Sequence, residues 1–297
     1  GDTLFDFNVR QLDEILGGAP QAVAALALRR VPDVSRYGSV ELNGDSIVAF
    51  HEKKEASGDG LVNGGTSLMR HEILSFIERT PSSIETDVFP RLAAAGWLKG
   101  AEFSGYFIDI GLPDTLAQAR DEIPRRRRRA AVFFDRDGVL NRDEGYTHRI
   151  EDLKWIPGAI EAIRRFNDAG ALVIVITNQA GIAHGYYKSD DVEGFHRAME
   201  ADLARAGAHI DAFYICPYHP EAKIEAFLHP DHPDRKPNPG MIVKALAEWP
   251  LDPSRCVLIG DQESDVEAAR RAGIVGLLFD GEDLLETAKA ALQRIET

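Results

Sequence analysis

Apolar runs and amphipathic stretches alternate regularly from residue 130 onward. The runs are rich in Val, Ile, Leu and Phe, which is typical of strands buried on both faces. They predict the strands AAVFFD, ALVIVITN, DAFYIC, CVLIGD and GIVGLLF. The stretches between them predict four helices: PGAIEAIRRFNDAG, SDDVEGFHRAMEADLARAG, one starting near Pro239, and SDVEAARRAG. We expect Gly170 at the C-cap of the first helix, and Ser189 or Asp190 as the N-cap of the second. This alternation predicts an α/β fold, a three-layer, Rossmann-like parallel sheet covered on both faces.

The pattern in residues 1–124 is less regular. SIVAFHEK and YFIDIG have the composition of strands, and EILSFIER has the apolar spacing of a helix. DTLAQARDEI predicts a further helix that Pro124 ends, and the arginines Arg125 to Arg129 follow before the next strand. We therefore expect two domains, residues 1–124 and 131–297. An arginine-rich, solvated linker over residues 125–130 joins them, and we favour it over a nucleic-acid or localisation tag.

The charge balance limits the classes of partner that the chain can bind. Its 34 Lys and Arg stand against 48 Asp and Glu, a formal net charge of −14 over 297 residues, which argues against nucleic-acid binding. No apolar stretch approaches the roughly 20 residues of a membrane helix, and no secretion signal is recognisable, so we expect no membrane partner. Cys216 and Cys256 are the two cysteines, which excludes a disulfide framework and favours a reducing cytoplasm. The oligomeric state stays open.

Polar residues suited to phosphate chemistry cluster where predicted strands end. Because side chains two apart in an extended chain point the same way, Asp135 and Asp137 can face one site, and Gly138 allows the turn that follows. The other residues at strand ends or before a helix are Thr177, Asn178, Gln179, Arg235, Lys236, Asp261 and Asp265. Each has a structural interpretation as a cap, a turn residue or a solvated charge. Together they indicate one ligand site, because the carboxyl ends of parallel strands meet at one edge.

The order Asp-x-Asp, Thr, Lys, Asp resembles the haloacid dehalogenase superfamily of phosphohydrolases. The resemblance implies that Asp135 is a nucleophile that forms an aspartyl-phosphate, and that Asp137 is the general acid and base. It also implies Mg²⁺ bound by Asp135, Asp261 and the backbone carbonyl of Asp137. Thr177 and Lys236 would hold the phosphoryl oxygens. The strands carrying Asp135 and Thr177 are not separated by a long insertion, so we expect no large cap domain.

Residues 131–279 resemble more closely the D-glycero-D-manno-heptose 1,7-bisphosphate 7-phosphatase family. The motifs that carry this resemblance are DRDGVLNRDEGYTH, TNQAGIAHGYY, CPYHP, RKPNPGM and GDQESDVEAA. Histidinol-phosphate phosphatase shares much of the pattern and remains the alternative. The resemblance implies a phosphorylated sugar as substrate. The substrate-binding residues that it implies are Asp143, Tyr146, Thr177, Asn178, Gln179, Arg235 and Lys236.

The family's zinc loop, Cys-x-His followed by Cys-x-Cys, is only partly matched. Cys216 is present, but Tyr218, His232 and Asp234 stand where further zinc ligands would fall. A tetrahedral Zn²⁺ site built from one Cys and scattered His or Asp is conceivable, but we favour a metal-free loop.

Residues 1–124 resemble the later part of a sugar-1-phosphate nucleotidyltransferase. The motifs are GDTLFD, IVAFHEKKE, LVNGGTSLM, SIETDVFPRL and YFIDIGLPDTL. The resemblance implies Asp2 and Asp109 as metal ligands, and Glu52 and Lys53 near the sugar. The family's glycine-rich loop with its catalytic Lys does not occur in the sequence, so we expect a partial domain with an exposed sheet edge. Mannose- or heptose-1-phosphate guanylyl transfer is the alternative function if that loop is supplied elsewhere. A non-catalytic scaffold is the third hypothesis, which the second-half residue set disfavours.

Overall fold

The structure is a computed structural model that describes residues 2–35, 37–51, 58–111 and 113–296. These residues form two compact units, Gly1–Glu122 and Ile123–Thr297. No helix within the described ranges is both long and apolar enough to cross a membrane.

The first unit is built around a strand barrel. Its elements are β1 (Thr3–Phe5), α1 (Arg10–Gly17), β2 (Ala24–Val31), β3 (Ser39–Asn43), β4 (Ser46–His51), β5 (Gly60–Met69), α2 (Phe89–Ala94), β6 (Leu98–Glu102) and β7 (Phe107–Asp109). Five of the strands close in the order β2-β5-β3-β4-β6, with β2 and β6 parallel and the other neighbours antiparallel. The sequence-based expectation of an exposed edge in this sheet is wrong, because β6 pairs with both β2 and β4. The strands β1 and β7 form a separate antiparallel pair that aligns Thr3 with Asp109.

The second unit is a parallel sheet between helices. Following α3 (Pro113–Arg126), its elements are β8 (Arg129–Phe134), α4 (Ala159–Asp168), β9 (Leu172–Asn178), α5 (Ala180–Ala183), α6 (Ser189–Arg205), β10 (Ala212–Cys216), α7 (Gly240–Glu248), β11 (Leu251–Gly260), α8 (Glu263–Ala272), β12 (Val275–Leu278) and α9 (Leu284–Glu296). The strand order is β10-β9-β8-β11-β12, and all four pairings are parallel. The predicted α/β sheet fold is confirmed.

Alternate residues of each buried strand enter two different cores. On β8, Val132 and Phe134 pack with α4, α6 and α9, whereas Ala131 and Phe133 pack with α7 and α8. All four side chains are fully buried. Because successive side chains point to opposite faces, a continuous apolar run is needed to cover both faces of the sheet.

Three local predictions differ from the structure. EILSFIER does not form an α-helix, because His71–Phe76 adopts a 3-10 helix. Helix α3 continues past Pro124 to Arg126, since the lost proline N–H removes only one bond and Arg127 N–H still donates to Ile123 O at 2.9 Å. Helix α6 already contains Ser189 and begins after Lys188, whose N–H donates to Asp191 Oδ2 at 2.8 Å.

Several arginines of the run lie within regular elements. Arg125 and Arg126 end α3, and Arg129 begins β8, so Arg127 and Arg128 alone lie between these two elements. Arg129 also donates from Nη2 to Gly170 O at 2.6 Å. The domain bounds 1–124 and 131–297, with a linker over residues 125–130, stay a prediction.

Candidate active site

The carboxyl ends of β8, β9 and β11 meet at one cavity of about 350 Å³. From the central strand β8 the chain continues to β9 and β10 on one side, and it then crosses to β11 and β12 on the other side. Ligands of open α/β sheets bind where the strand order reverses in this way. The residues that line the cavity are Asp135, Asp137, Asp143, Gly145, Tyr146, Thr177, Asn178, Ala180, Tyr187, Lys236, Asp261, Gln262, Ser264 and Asp265. Most of them are polar, which suits a small charged ligand.

Lys236 is the buried cation of this cavity. Its Nζ lies 2.8 Å from Asp135 Oδ1 and 2.6 Å from Asp265 Oδ1, with 3% of the lysine side chain exposed. Burial alone would lower the pKa of Lys236, but the two carboxylates outweigh it and the pKa is raised. Asn178 fixes the lysine backbone, because its Oδ1 accepts from Lys236 N–H at 3.2 Å and its Nδ2 donates to Lys236 O at 3.3 Å.

Asp135 is nearly buried at the end of β8, with 8% of the residue exposed. Burial raises the pKa of Asp135 to about 7, Lys236 opposes the rise, and the neighbouring carboxylates of Asp265 and Asp137 add to it. A positively charged ligand in the cavity would favour the ionised carboxylate. The site therefore holds a carboxylate whose charge depends on what binds beside it.

Asp137 also lines the cavity, but its carboxylate is held by three neighbouring side chains. Arg136 Nη2 donates to both carboxylate oxygens at 2.7 Å, and Arg136 Nε donates to Oδ1 at 3.0 Å. Asn141 Nδ2 donates to Oδ1 at 3.0 Å, and Gln179 Nε2 donates to Oδ2 at 2.8 Å. One fifth of the Asp137 side chain remains exposed. The carboxylate is thus fixed in orientation while it still reaches the cavity.

Asp261 lies against the turn that follows Asp137. Gly138 has φ +85°, and a Cβ on it would lie 2.5 Å from Asp261 Oδ2, so the turn requires glycine for both its conformation and its space. Asp135, Asp261 and Asp265 each offer an oxygen atom within 4.8 Å of the others. Asp265 already engages both oxygens, since Oδ1 faces Lys236 and Oδ2 accepts from Gln262 N–H at 3.0 Å. Asp135 and Asp261 are therefore better placed to bind a cation, and hard oxygen donors of this kind fit Mg²⁺.

Thr177 lines the cavity at the end of β9 with 1% of the residue exposed. Its Oγ1 accepts from Gln179 Nε2 at 2.8 Å, and Gln179 Oε1 accepts from the Tyr187 hydroxyl at 2.7 Å. Burial raises the pKa of Tyr187 to about 12, so the phenol stays protonated and can donate this hydrogen bond. Within the described ranges Gln179 does not line the cavity, and it instead links Thr177 to Asp137.

The loop after Asp137 carries the remaining predicted contacts. Asp143 and Tyr146 are exposed and line the cavity, and Tyr146 has φ +59°. Asp143 Oδ1 accepts from Gly145 N–H at 2.9 Å, which stabilises the loop. The Tyr146 ring makes an edge contact with Tyr186 at a centroid distance of 4.9 Å.

Arg235 is oriented differently from the sequence-based expectation. Its Nη1 donates to Tyr218 O at 3.1 Å, and among the described residues it does not line the cavity. Burial lowers the pKa of Arg235. The sequence motif located the residue but could not predict which way its long side chain turns.

The loop with Cys216 has a donor set that does not fit tetrahedral zinc. The Tyr218 ring stacks on His232 at a centroid distance of 3.8 Å, and His232 Nδ1 accepts from Asp234 N–H at 3.1 Å. Asp234 is ion-paired with Lys244. Burial raises the pKa of the Cys216 thiol.

Three residues of the site were not assigned a role from the sequence. The sequence indicated Asp265 only as a residue after a strand, although its position in the first turn of α8 is typical of a capping residue. Tyr187 lies within the motif TNQAGIAHGYY, but no other feature of the sequence marks it as a site residue. Arg136 lies between two aspartates that share a face, and strand alternation would direct it away from them. It instead turns back onto Asp137.

The first unit brings together the two aspartates that the sequence suggested there. A Cβ on Gly111 would lie 3.1 Å from both Asp109 Oδ1 and Asp2 Oδ2. Glu52 and Lys53 lie outside the described residues.

Comparison with known proteins assigns the class of the second unit. Residues 234–293 match the HAD-hydrolase-like family model. The chain is 33% identical to a protein of Mesorhizobium loti named as a HAD-like phosphatase, with a TM-score of 0.52 over 57% of this chain and 88% of that one. The fold, the strand-end carboxylates and these matches define a phosphoric monoester hydrolase of the haloacid dehalogenase class.

A curated relative narrows the assignment within that class. The D-glycero-beta-D-manno-heptose-1,7-bisphosphate 7-phosphatase of Rhodopseudomonas palustris is 48% identical over 158 residues, which cover 53% of this chain and 87% of the relative. The chain therefore belongs to the heptose-1,7-bisphosphate 7-phosphatase family. HddC from Yersinia pseudotuberculosis is 25% identical over 41% of this chain and 52% of that one, with a TM-score of 0.34.

Proposed function

We propose that the second unit hydrolyses the 7-phosphate of D-glycero-D-manno-heptose 1,7-bisphosphate and leaves the 1-phosphate. The observation that carries this proposal is the convergence of Asp135, Asp261 and Asp265 at the sheet edge, where Lys236 pairs with Asp135 and Asp265. The identity to a phosphatase of that name supports the choice of substrate. The free, buried Cys216 and Cys256 fit a cytoplasmic location.

Magnesium is the metal that best fits the carboxylates. Asp135 and Asp261 would bind it, and the backbone carbonyl of Asp137 would complete the protein ligands. When bound, Mg²⁺ neutralises charge between the nucleophile and the phosphoryl group. A site of oxygen donors alone is typical for this ion.

The protein's own residues divide the reaction into two steps. Asp135 attacks phosphorus, the bond from phosphorus to the sugar oxygen breaks, and Asp137 gives a proton to that oxygen. Asp137 then takes a proton from a water molecule that attacks the phosphorus of the aspartyl-phosphate. The bond from phosphorus to the Asp135 oxygen breaks, which frees inorganic phosphate and restores the Asp135 carboxylate. Thr177 and Lys236 hold the phosphoryl oxygens, since the hydroxyl and the ammonium are both donors.

The substrate's sugar would contact the exposed part of the cavity. Asp143, Tyr146 and Asn178 line it and offer polar groups and one aromatic ring. Arg235 and Gln179 stay proposals as substrate contacts. Arg235 would have to leave the Tyr218 carbonyl, and Gln179 would act through Thr177.

A phosphate-release screen tests the function. Purified protein is incubated with both anomers of the heptose bisphosphate, with histidinol phosphate and with simple sugar phosphates, with and without Mg²⁺. We expect the highest kcat/KM for the bisphosphate and no release without a divalent cation. Asp135→Asn should abolish turnover with the fold intact. Preference for histidinol phosphate would transfer the assignment to that reaction, and unchanged turnover in Asp135→Asn would refute the nucleophile.

A separate role for the first unit is supported by the approach of Asp2 to Asp109. We propose that these carboxylates bind a metal beside a sugar phosphate, as the nucleotidyltransferase resemblance implies. Incubation with GTP and a sugar 1-phosphate, followed by pyrophosphate detection, tests whether transfer occurs. Pyrophosphate release that is lost in Asp109→Asn would establish transfer. No release would indicate that the unit does not catalyse transfer by itself.

A further inference from the structure

Arg136 is a fully buried arginine whose guanidinium lies behind the catalytic cavity. No solvent reaches its side chain, and it does not line the cavity. Its Nη2 donates to both oxygens of Asp137 at 2.7 Å, its Nε donates to Asp137 Oδ1 at 3.0 Å, and Nη2 also contacts Thr147 O at 2.6 Å. A cation of this size is rarely buried completely unless its charge is paired.

The other side of the guanidinium is enclosed by aromatic rings. Its central carbon lies 4.7 Å from the centre of the Phe195 ring, and Nη1 lies 3.5 Å from His196 Nε2. The His196 ring stacks on Phe213 at a centroid distance of 4.0 Å. Burial, together with Arg136, lowers the pKa of His196 to about 3, so the imidazole is neutral near neutral pH and does not repel the cation. The guanidinium is thus held from several directions and has one carboxylate to pair with.

We infer that Arg136 is a positioning residue that holds the Asp137 carboxylate in the orientation needed for proton transfer. The inference rests on the proposed function and extends it to a residue that does not touch the substrate. Three N–H···O contacts to one carboxylate restrict its rotation, and the planar guanidinium provides them in a fixed geometry that a lysine ammonium cannot reproduce. Arg136→Lys therefore keeps the charge and loses the orientation.

The two half-reactions allow this role to be distinguished from a structural one. Release of a sugar alkoxide requires a proton from Asp137 as the phosphorus–oxygen bond breaks, whereas a nitrophenolate leaves without one. Hydrolysis of the aspartyl-phosphate requires Asp137 as a base for either substrate. A misplaced Asp137 therefore slows the first step only for the sugar phosphate, and slows the second step for both.

The experiment is rapid-quench kinetics on the full chain with Mg²⁺, using p-nitrophenyl phosphate and the best sugar phosphate from the screen. For Arg136→Lys we expect a burst of about one nitrophenolate per site, followed by slow turnover. With the sugar phosphate we expect no burst, and a single-turnover rate roughly 10–100-fold below wild type, part of the 10²–10⁴-fold that general acid–base catalysis contributes. The sugar-phosphate KM should change little. Asp137→Asn should show the same pattern more strongly.

Arg129→Lys is the matched control, because Arg129 begins β8, the strand just before Arg136, and donates to the Gly170 carbonyl away from the site. It should behave as wild type with both substrates. In a folded Arg136→Lys protein, equal losses in the first-step rate with both substrates, or no loss in any step, would overturn the inference. If that variant does not fold, His196→Phe is measured in the same way. A several-fold fall in the first-step rate with the sugar phosphate but not with p-nitrophenyl phosphate supports the inference, and unchanged rates overturn it. A wild-type enzyme that hydrolyses neither substrate refutes the proposed function instead.

Discussion

The buried His196 makes a quantitative prediction about acid stability. Its folded-state pKa of about 3 lies well below the roughly 6.5 of a histidine in an unfolded chain. The unfolded state therefore takes up a proton between these values that the folded state does not. The contribution of this group to stability is complete above pH 6.5, and it is lost as the pH falls towards 3.

The size of the effect follows from the two pKa values. Between pH 7.5 and pH 5.0 the linkage relation gives a loss of about 2 kcal/mol from this one group, at about 1.4 kcal/mol per pH unit below 6.5. His196→Gln removes the titrating ring and keeps a polar side chain that can accept from Arg136. The variant should be less stable than wild type at pH 7.5, and the difference should shrink or reverse at pH 5.0.

Urea unfolding at the two pH values, followed by tryptophan fluorescence, measures this directly. His148→Gln is the control, because that ring is partly exposed and its Nδ1 contacts the neighbouring Tyr146 carbonyl. The reasoning is refuted if wild type and His196→Gln lose the same free energy of unfolding on acidification.

Further predictions concern the proposed Mg²⁺ site and the buried Lys236 beside it. Gly138→Ala should weaken Mg²⁺ binding tenfold or more in isothermal titration, because the new Cβ would collide with Asp261 Oδ2. Gly273→Ala is the control, because Gly273 has a similar positive φ but open space around it. This variant should only lower the free energy of unfolding, by about 1 kcal/mol. Normal Mg²⁺ affinity in Gly138→Ala would contradict the position of Asp261 as a ligand. Lys236→Met should cost about 3–5 kcal/mol in urea unfolding, because it leaves buried carboxylates without their cation. Lys244→Met, at a half-exposed pair, should cost no more than about 1 kcal/mol, and equal losses in the two variants would contradict the proposed importance of burial.

The sequence was most informative where structure follows from alternation along a strand. Apolar runs located the five strands of the second unit, and the residues just beyond them, such as Asp135, Thr177 and Asp261, line one cavity. Strand topology alone brings such ends together, so no knowledge of side-chain conformation was needed.

Prediction failed where a side chain or a turn has several comparable solutions. The orientations of Arg136 and Arg235 depend on partners distant in sequence, namely Thr147 and Tyr218, which no periodicity reveals. Closure of the first-unit barrel likewise depends on a single pairing, Ser46 with Lys99, between strands far apart in the chain.

The two oxygens of Asp265 connect catalysis to local folding. One oxygen caps the start of helix α8 by accepting from Gln262 N–H, and the other faces the Lys236 ammonium. Fraying of the first turn of that helix would therefore also remove one of the two carboxylates that hold Lys236, the ion-pair partner of Asp135. We therefore expect hydrogen exchange at the start of α8 to report on the fraction of molecules in which Lys236 is held beside Asp135.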